Sequence, residues 1–149
     1  MKSKTVENTI LRISALLISN DNVIEMGDEL LNAGADKLED GGFYIWDIQN
    51  IDIEYYSPLF RKILGYNDEN DFPNLSSSWQ NAINKDDLKL ALLNFEKSKE
   101  DPDNYPYYQN VTYTKKKGGI IRVLCSALIL KKNGKPRFLI GTHKILDNA

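Results

Sequence analysis

The chain has 149 residues, of which 42% are hydrophobic and 10% aromatic, with a formal net charge of -2 at pH 7. That length and apolar content exclude a disordered chain and indicate one domain with a short appendage, while the slight acidity gives no general pull toward nucleic acid. A lone cysteine, Cys125, rules out an internal disulfide and fits a reducing compartment, and no apolar run approaches the roughly 20 residues that a membrane span needs.

Residues 5 to 40 read as helical. Thr5 can cap a helix whose apolar residues Val6, Ile10, Ile13 and Leu17 recur at helical spacing, and Leu11, Leu16 and Ile18 widen that stripe. Lys2 and Lys4 precede this stretch, but Arg12 interrupts it and no small-residue cleavage pattern follows, so export is not expected and the cytoplasm is the expected location. Asn20 or Asp21 can cap a second helix through Met26, Leu30 and Leu31, with Gly34 as a left-handed stop. A wide apolar face at a chain terminus is covered by its own domain or by a second copy of it. Residues 1–40 are therefore expected to form a helical segment that covers the rest of the chain and carries a homodimer contact through Val6, Ile10, Ile13 and Leu17, whose 4-3-4 spacing is that of paired helices.

From Gly42 the period changes to two. Residues 43 to 48 and 53 to 56 flank the turn-like Gln49-Asn50-Ile51-Asp52 and predict a hairpin. Pro58 fits the first position of a short helix that stops at Gly65. Asn84 predicts an N-cap, with Asp87 returning a bond as in a capping box. The helix behind it presents Leu88, Ala91, Leu92 and Phe95 on one side. Three strands follow, over residues 107 to 114, 120 to 130 and 136 to 146, joined at Gly118-Gly119 and Asn133-Gly134. Lys115, Lys116 and Lys117 read as a solvated hairpin tip and not a phosphate patch. The order β-β-α-β-β-β predicts an α+β fold, an antiparallel sheet with its middle helices on one face.

A sheet with one wet face alternates apolar and polar residues. Here Phe43 to Trp46, Val123 to Ile129 and Phe138 to Ile140 are nearly continuous apolar runs. Both faces are thus expected to be buried, one under the middle helices and the other under the N-terminal helices, a partner subunit, or both.

The punctuation of the middle carries a further signal. It reads Gly42-Phe43-Tyr44-Ile45-Trp46-Asp47, then Tyr56-Ser57-Pro58, Leu64-Gly65-Tyr66, and Trp79 followed by Ile83, Asp86 and Asp87. In this order and spacing the segments resemble the PAS sensory domain, in its subfamily marked by G-x-W-x-W-D, Y-S-P, L-G-Y and W-x-x-x-I-H-P-D-D. The resemblance covers about residues 42 to 144, and residues 41–149 would form the domain. It implies a five-stranded PAS-like sheet and a sensory or regulatory role in signal transduction. A PAS cavity between sheet and helices would be lined by Tyr44, Trp46, Tyr66, Trp79, Leu92, Phe95, Val111 and Tyr113, either as a small-molecule pocket or as packed core. Asn84-Lys85 replaces the family's His-Pro, and Ile145-Leu146-Asp147 stands where the family closes with D-I-T, whose aspartate helps couple the last strand to an output helix.

Residue chemistry argues against cofactors and catalysis. The flavin-binding context N-C-R-F-L-Q is absent, and Cys125 falls in a strand as a small core residue. His143 also falls in a strand and is expected to pair with a backbone or surface group, not with haem. One Cys and one His cannot build a structural zinc site. Asp86 and Asp87 are adjacent on a helix and point about 100° apart, so they cannot face each other as an acid–base pair. The expectation is a module without metal, cofactor or catalytic residues that acts by protein association, with homodimerisation, a small-molecule ligand and a signalling partner as its candidate interactions. A homodimerisation adaptor with a filled core and a small α+β enzyme are the alternatives. A buried ionisable residue in the cavity would favour the enzyme.

Overall fold

The computed structural model describes residues 21–103 and 107–148. The expected helix over 5 to 20, with Thr5 and the dimer seam Val6, Ile10, Ile13 and Leu17, lies outside the described residues. Among the described residues four α-helices, α1 (Val23–Asn32), α2 (Pro58–Leu64), α3 (Ser76–Ala82) and α4 (Lys85–Glu100), accompany five strands, β1 (Phe43–Asp47), β2 (Glu54–Tyr56), β3 (Tyr107–Thr114), β4 (Ile120–Lys132) and β5 (Lys135–Asn148). The strands form one sheet of order β2-β1-β5-β4-β3, and each neighbouring pair is antiparallel. This is the expected α+β architecture, with strand limits within two residues of those read from the sequence.

Local chemistry explains the element ends. Asn133 at φ 55° and Gly134 at φ 78° make the two-residue β4–β5 turn, which requires positive φ at both positions. The Ser57 hydroxyl accepts from Phe43 N at 2.9 Å and from Phe60 N at 3.4 Å, so one side chain closes the first hairpin and caps α2. Gly42, at φ 82°, brings its backbone against α2, where a Cβ would meet Phe60 N at 2.5 Å. The Asp47 carboxylate accepts from Gln49 N and Asn50 N, both at 3.0 Å, and pairs with Arg137 of β5, which fixes the β1–β2 turn.

Some expectations need correction. Asn22, not Asn20 or Asp21, caps α1, accepting from Ile24 N at 2.9 Å and Glu25 N at 3.1 Å. The helix ends at Asn32, and a 3-10 turn over Ala35–Lys37 replaces the helix expected up to residue 40. Asn84 does cap α4, but Asp87 makes no capping box. Its Oδ2 accepts from Thr112 N at 2.8 Å and so ties α4 to β3. That bond uses the carboxylate in tertiary contact because β3 runs beside the first turn of α4.

The two faces of the sheet bury two separate clusters. Helices α2, α3 and α4 pack on the inner face, around Tyr44, Trp46, Tyr56, Phe60, Val123 and Leu139. Helix α1 packs Val23, Met26 and Leu30 on the outer face, against Phe43, Ile45, Tyr55, Phe138 and Ile140. Burying those three α1 side chains contributes roughly 5–9 kcal/mol before ordering entropy. Within the described residues α1 covers only part of the outer face, and the rest of the expected cover, residues 5 to 20 or a partner subunit, lies outside them. Strand β3 alternates buried and exposed, with Tyr108 at 55% exposure, and Leu146 of β5 is at 44%. Residues 123–129 read as continuous because β4 mixes fully buried inner positions with half-buried outer ones, Leu124 and Leu128.

Candidate functional site

The larger cluster encloses a cavity between the inner sheet face and the middle helices. About 30 Å³ of it is open to the centre of a water molecule, room for two or three waters at roughly 10–15 Å³ each. Tyr44 and Trp46 from β1, Trp79 from α3, and Val111 and Tyr113 from β3 line it. The other three candidates are placed differently. Phe95 lies behind Trp46, stacked on it at 4.4 Å. Tyr66 packs on Phe72 at 4.8 Å and belongs to a separate surface groove with Asp71 and Lys116. Leu92 is 38% exposed, because α4 turns Ala91, Phe95 and Ser98 inward and the residue after Ala91 is carried about 100° around the axis.

The structure adds lining residues that pattern reading had not singled out, among them Glu54, Tyr56, Phe60, Tyr107, Cys125 and His143. Register explains most of them. Trp46 pairs with Glu54 and Tyr44 with Tyr56, so both β2 residues share the inner face. Cys125 pairs with His143 across β4 and β5. Applying the period of two to each partner strand would have found them, but an acidic residue inside a buried face is contrary to pattern.

The polar groups here are unusual for a core. Glu54 is 2% exposed, and burial pushes its carboxyl well above the usual carboxylate range. The neighbouring Trp79 indole N–H partly offsets that shift by favouring the ionised form, yet the pair falls short of hydrogen-bond geometry: Glu54 Oε1 and Trp79 Nε1 are both without a partner. His143 is 2% exposed; its ring stacks on Phe60 at 4.5 Å, and Nδ1 has neither the backbone nor the surface partner expected of this histidine. Burial lowers its pKa to about 3, so the imidazole is neutral. By contrast the phenols are mostly satisfied. Tyr44 Oη and Cys125 Sγ share a hydrogen at 3.1 Å, Tyr107 donates to Gln109 Oε1 at 3.2 Å, and Tyr56 donates to the Leu75 carbonyl at 2.7 Å.

Cys125 is buried, and its thiol is pushed up to about 12 by burial. A thiol-specific reagent at pH 8 is therefore expected to label the folded protein at least about a hundredfold more slowly than the denatured one. Equal rates would show that the cavity admits reagents freely. Among the described residues no group of three or more His, Cys, Asp or Glu is placed to hold a metal, and no helix is long and apolar enough to cross a membrane.

No curated protein matches the chain. Solved structures do. A sensory box histidine kinase/response regulator from Burkholderia thailandensis superposes with a TM-score of 0.61 at 20% identity, over 78% of this chain and 84% of that one. The N-terminal domain of a diguanylate cyclase with PAS/PAC sensor from Marinobacter aquaeolei gives 0.59 at 14% identity, over 70% and 93%. A Rhodobacter sphaeroides LOV protein gives 0.56 at 11% identity, over 72% and 60%. At these identities the likeness establishes the fold alone. The family model described as "PAS fold" matches residues 53–143, which span the second strand through the histidine of the fifth, and the chain belongs to that family of sensory domains.

Proposed function

We propose that the chain is a non-catalytic sensory module of a signalling protein, working in the cytoplasm, with the inner cavity as its sensing element. Association with partners, including a second copy of itself, would be its output. The observation that supports this is the set of unpartnered polar atoms on Glu54, Trp79 and His143, three residues that line one largely aromatic and apolar cavity. Buried polar groups are nearly always partnered, and small-molecule pockets combine apolar walls with a few polar anchors. Occupancy would shift the population between two arrangements of the helices against the sheet. Native mass spectrometry of the purified protein tests the reading: a retained small-molecule mass is expected, and a bare chain that no compound stabilises would overturn it.

Self-association belongs to the same proposal, with residues 1–40 as the contact and Val6, Ile10, Ile13 and Leu17 as its seam. Tyr108 of β3 and Leu146 of β5, left exposed by the described residues, are consistent with it. Replacing Ile10 and Ile13 by Asp is expected to convert dimers to monomers in light scattering. A monomeric parent chain at tens of micromolar would contradict this.

One observation favours a second reading. Glu54 is the buried ionisable residue that an α+β enzyme would need, since a raised carboxyl pKa suits a general acid. The surroundings argue against it. His143 is held neutral and stacked, and burial keeps the phenols and the Cys125 thiol that line the cavity neutral as well, so the acid has no base to work with. Turnover that is lost in Glu54→Gln would favour the enzyme.

A further inference from the structure

We propose that the cavity takes a compact organic cation, a small aliphatic ammonium, held by the Glu54 carboxylate within a box of aromatic faces. This rests on the sensing reading above and names the chemistry of its ligand. The residues that line the cavity include no lysine or arginine, so an anion entering it would meet Glu54 with no countercharge. The walls are instead suited to positive charge. Trp46, Tyr56, Trp79 and Tyr113 supply aromatic rings to the lining, and Trp46 and Trp79 meet edge to face with centroids 5.6 Å apart. Aromatic boxes with a carboxylate are the natural receptor for an alkylammonium, which the rings' negative faces attract and the carboxylate neutralises.

The unpartnered atoms fit this ligand. Glu54 Oε1 accepts from an ammonium N–H, and His143 Nδ1 accepts from a second when its proton sits on Nε2. The Trp79 indole N–H then donates to the ionised carboxylate, the form it already favours. The titratable groups that face Glu54 across the cavity are Tyr44, Tyr56, Tyr107, Tyr113, Cys125 and His143; burial keeps each of them neutral. Glu54 is therefore the group that changes charge. On binding, its O–H bond breaks and the proton leaves to the buffer, while the ligand stays protonated. The space available matches two or three heavy atoms.

The test uses the full chain with methylammonium and ethylammonium chloride, against ethanol, sodium acetate and sodium chloride at equal concentration. Thermal melting and tryptophan emission are read together. The ammonium ions are expected to raise Tm by several degrees at 50 mM and to change the emission, and the other three to do neither. Glu54→Gln is expected to stay folded and to bind at least tenfold more weakly. Calorimetry in two buffers of different ionisation enthalpy is expected to show about one proton released per ion bound. No effect of either ammonium ion, equal binding by Glu54→Gln, or no proton release would overturn the proposal. Stabilisation by a neutral compound alone would overturn it and leave the sensing reading intact. If nothing tested stabilises the chain and nothing is retained in native mass spectrometry, both fail.

Discussion

Replacing Arg61 by Met is expected to lower the folding free energy by about 3–5 kcal/mol, enough to unfold much of the population of a protein of ordinary stability. Arg61 lies on α2 and is 5% exposed. Its guanidinium donates to the Phe72 carbonyl at 3.0 Å, the Tyr56 carbonyl at 2.9 Å and Asn74 Oδ1 at 2.7 Å. Asn74 Oδ1 in turn accepts from Tyr56 N at 3.3 Å, so one arginine ties β2, α2 and the segment before α3 together. Methionine keeps the stem's volume, takes the guanidinium from the Phe72 and Tyr56 carbonyls at a cost of about 1–3 kcal/mol each, and leaves Asn74 Oδ1 with the Tyr56 N–H alone. Lysine is not a conservative rescue, because one ammonium cannot reach three divergent acceptors. Urea unfolding followed by circular dichroism reads the difference. A loss below about 1 kcal/mol would mean that water replaces the guanidinium without penalty and that this segment is not held through Arg61.

Stability should depend on pH from both sides, for opposite reasons. His143 has a folded pKa of about 3 against an ordinary 6.5, so the unfolded chain binds a proton in that window and the folded one does not. Stability therefore rises with pH from about 3 to 6.5, by roughly 1.4 kcal/mol per pH unit. Glu54 acts the other way. Its folded pKa lies well above the ordinary 4.5, so the unfolded chain has lost a proton that the folded one retains. Stability then falls from about pH 4.5 upward at the same slope, until folded Glu54 ionises. The two slopes oppose each other from about pH 4.5 upward. The rise is therefore expected to flatten above about pH 4.5 and to give way to a fall wherever Glu54 stays protonated beyond the His143 window. Glu54→Gln should abolish the alkaline limb and His143→Phe the acid limb, each without touching the other. Parallel profiles for the three proteins would show that neither group is held in the buried, unpaired state described here.

Most of the fold was legible because its signals are local. Asn133-Gly134, Pro58, Gly65 and Asn84 each act within a few residues, and the structure uses them as their chemistry predicts. The misses are tertiary. Asp87 has the right spacing for a capping box, but β3 offers it the Thr112 N–H. Leu92 fits the helical stripe within the width of a sequence pattern, yet the adjacent Ala91 takes the inward position. In the cavity, the aromatic residues of β1 and β3 stood out because large rings in strands are core-forming. Glu54 and His143 did not, because polar residues are ordinarily assigned to the surface, and only the register with Trp46 and Cys125 places them inside. The polar atoms that give the cavity its character are thus the part that local pattern hides.

The central claim is that this cavity senses a small molecule, and the chain carries its own reporter. Both of its tryptophans, Trp46 and Trp79, line the cavity. Emission excited at 295 nm therefore comes only from the walls of the proposed site. The most direct measurement is a screen of compact amines, alcohols, acids and amides by tryptophan emission, with the melting temperature read in the same wells. The account predicts that one chemical class alters emission and raises Tm together, with a common saturation curve, and that Glu54→Gln weakens both. A screen in which no compound moves either signal would contradict it and leave a filled core that serves association alone.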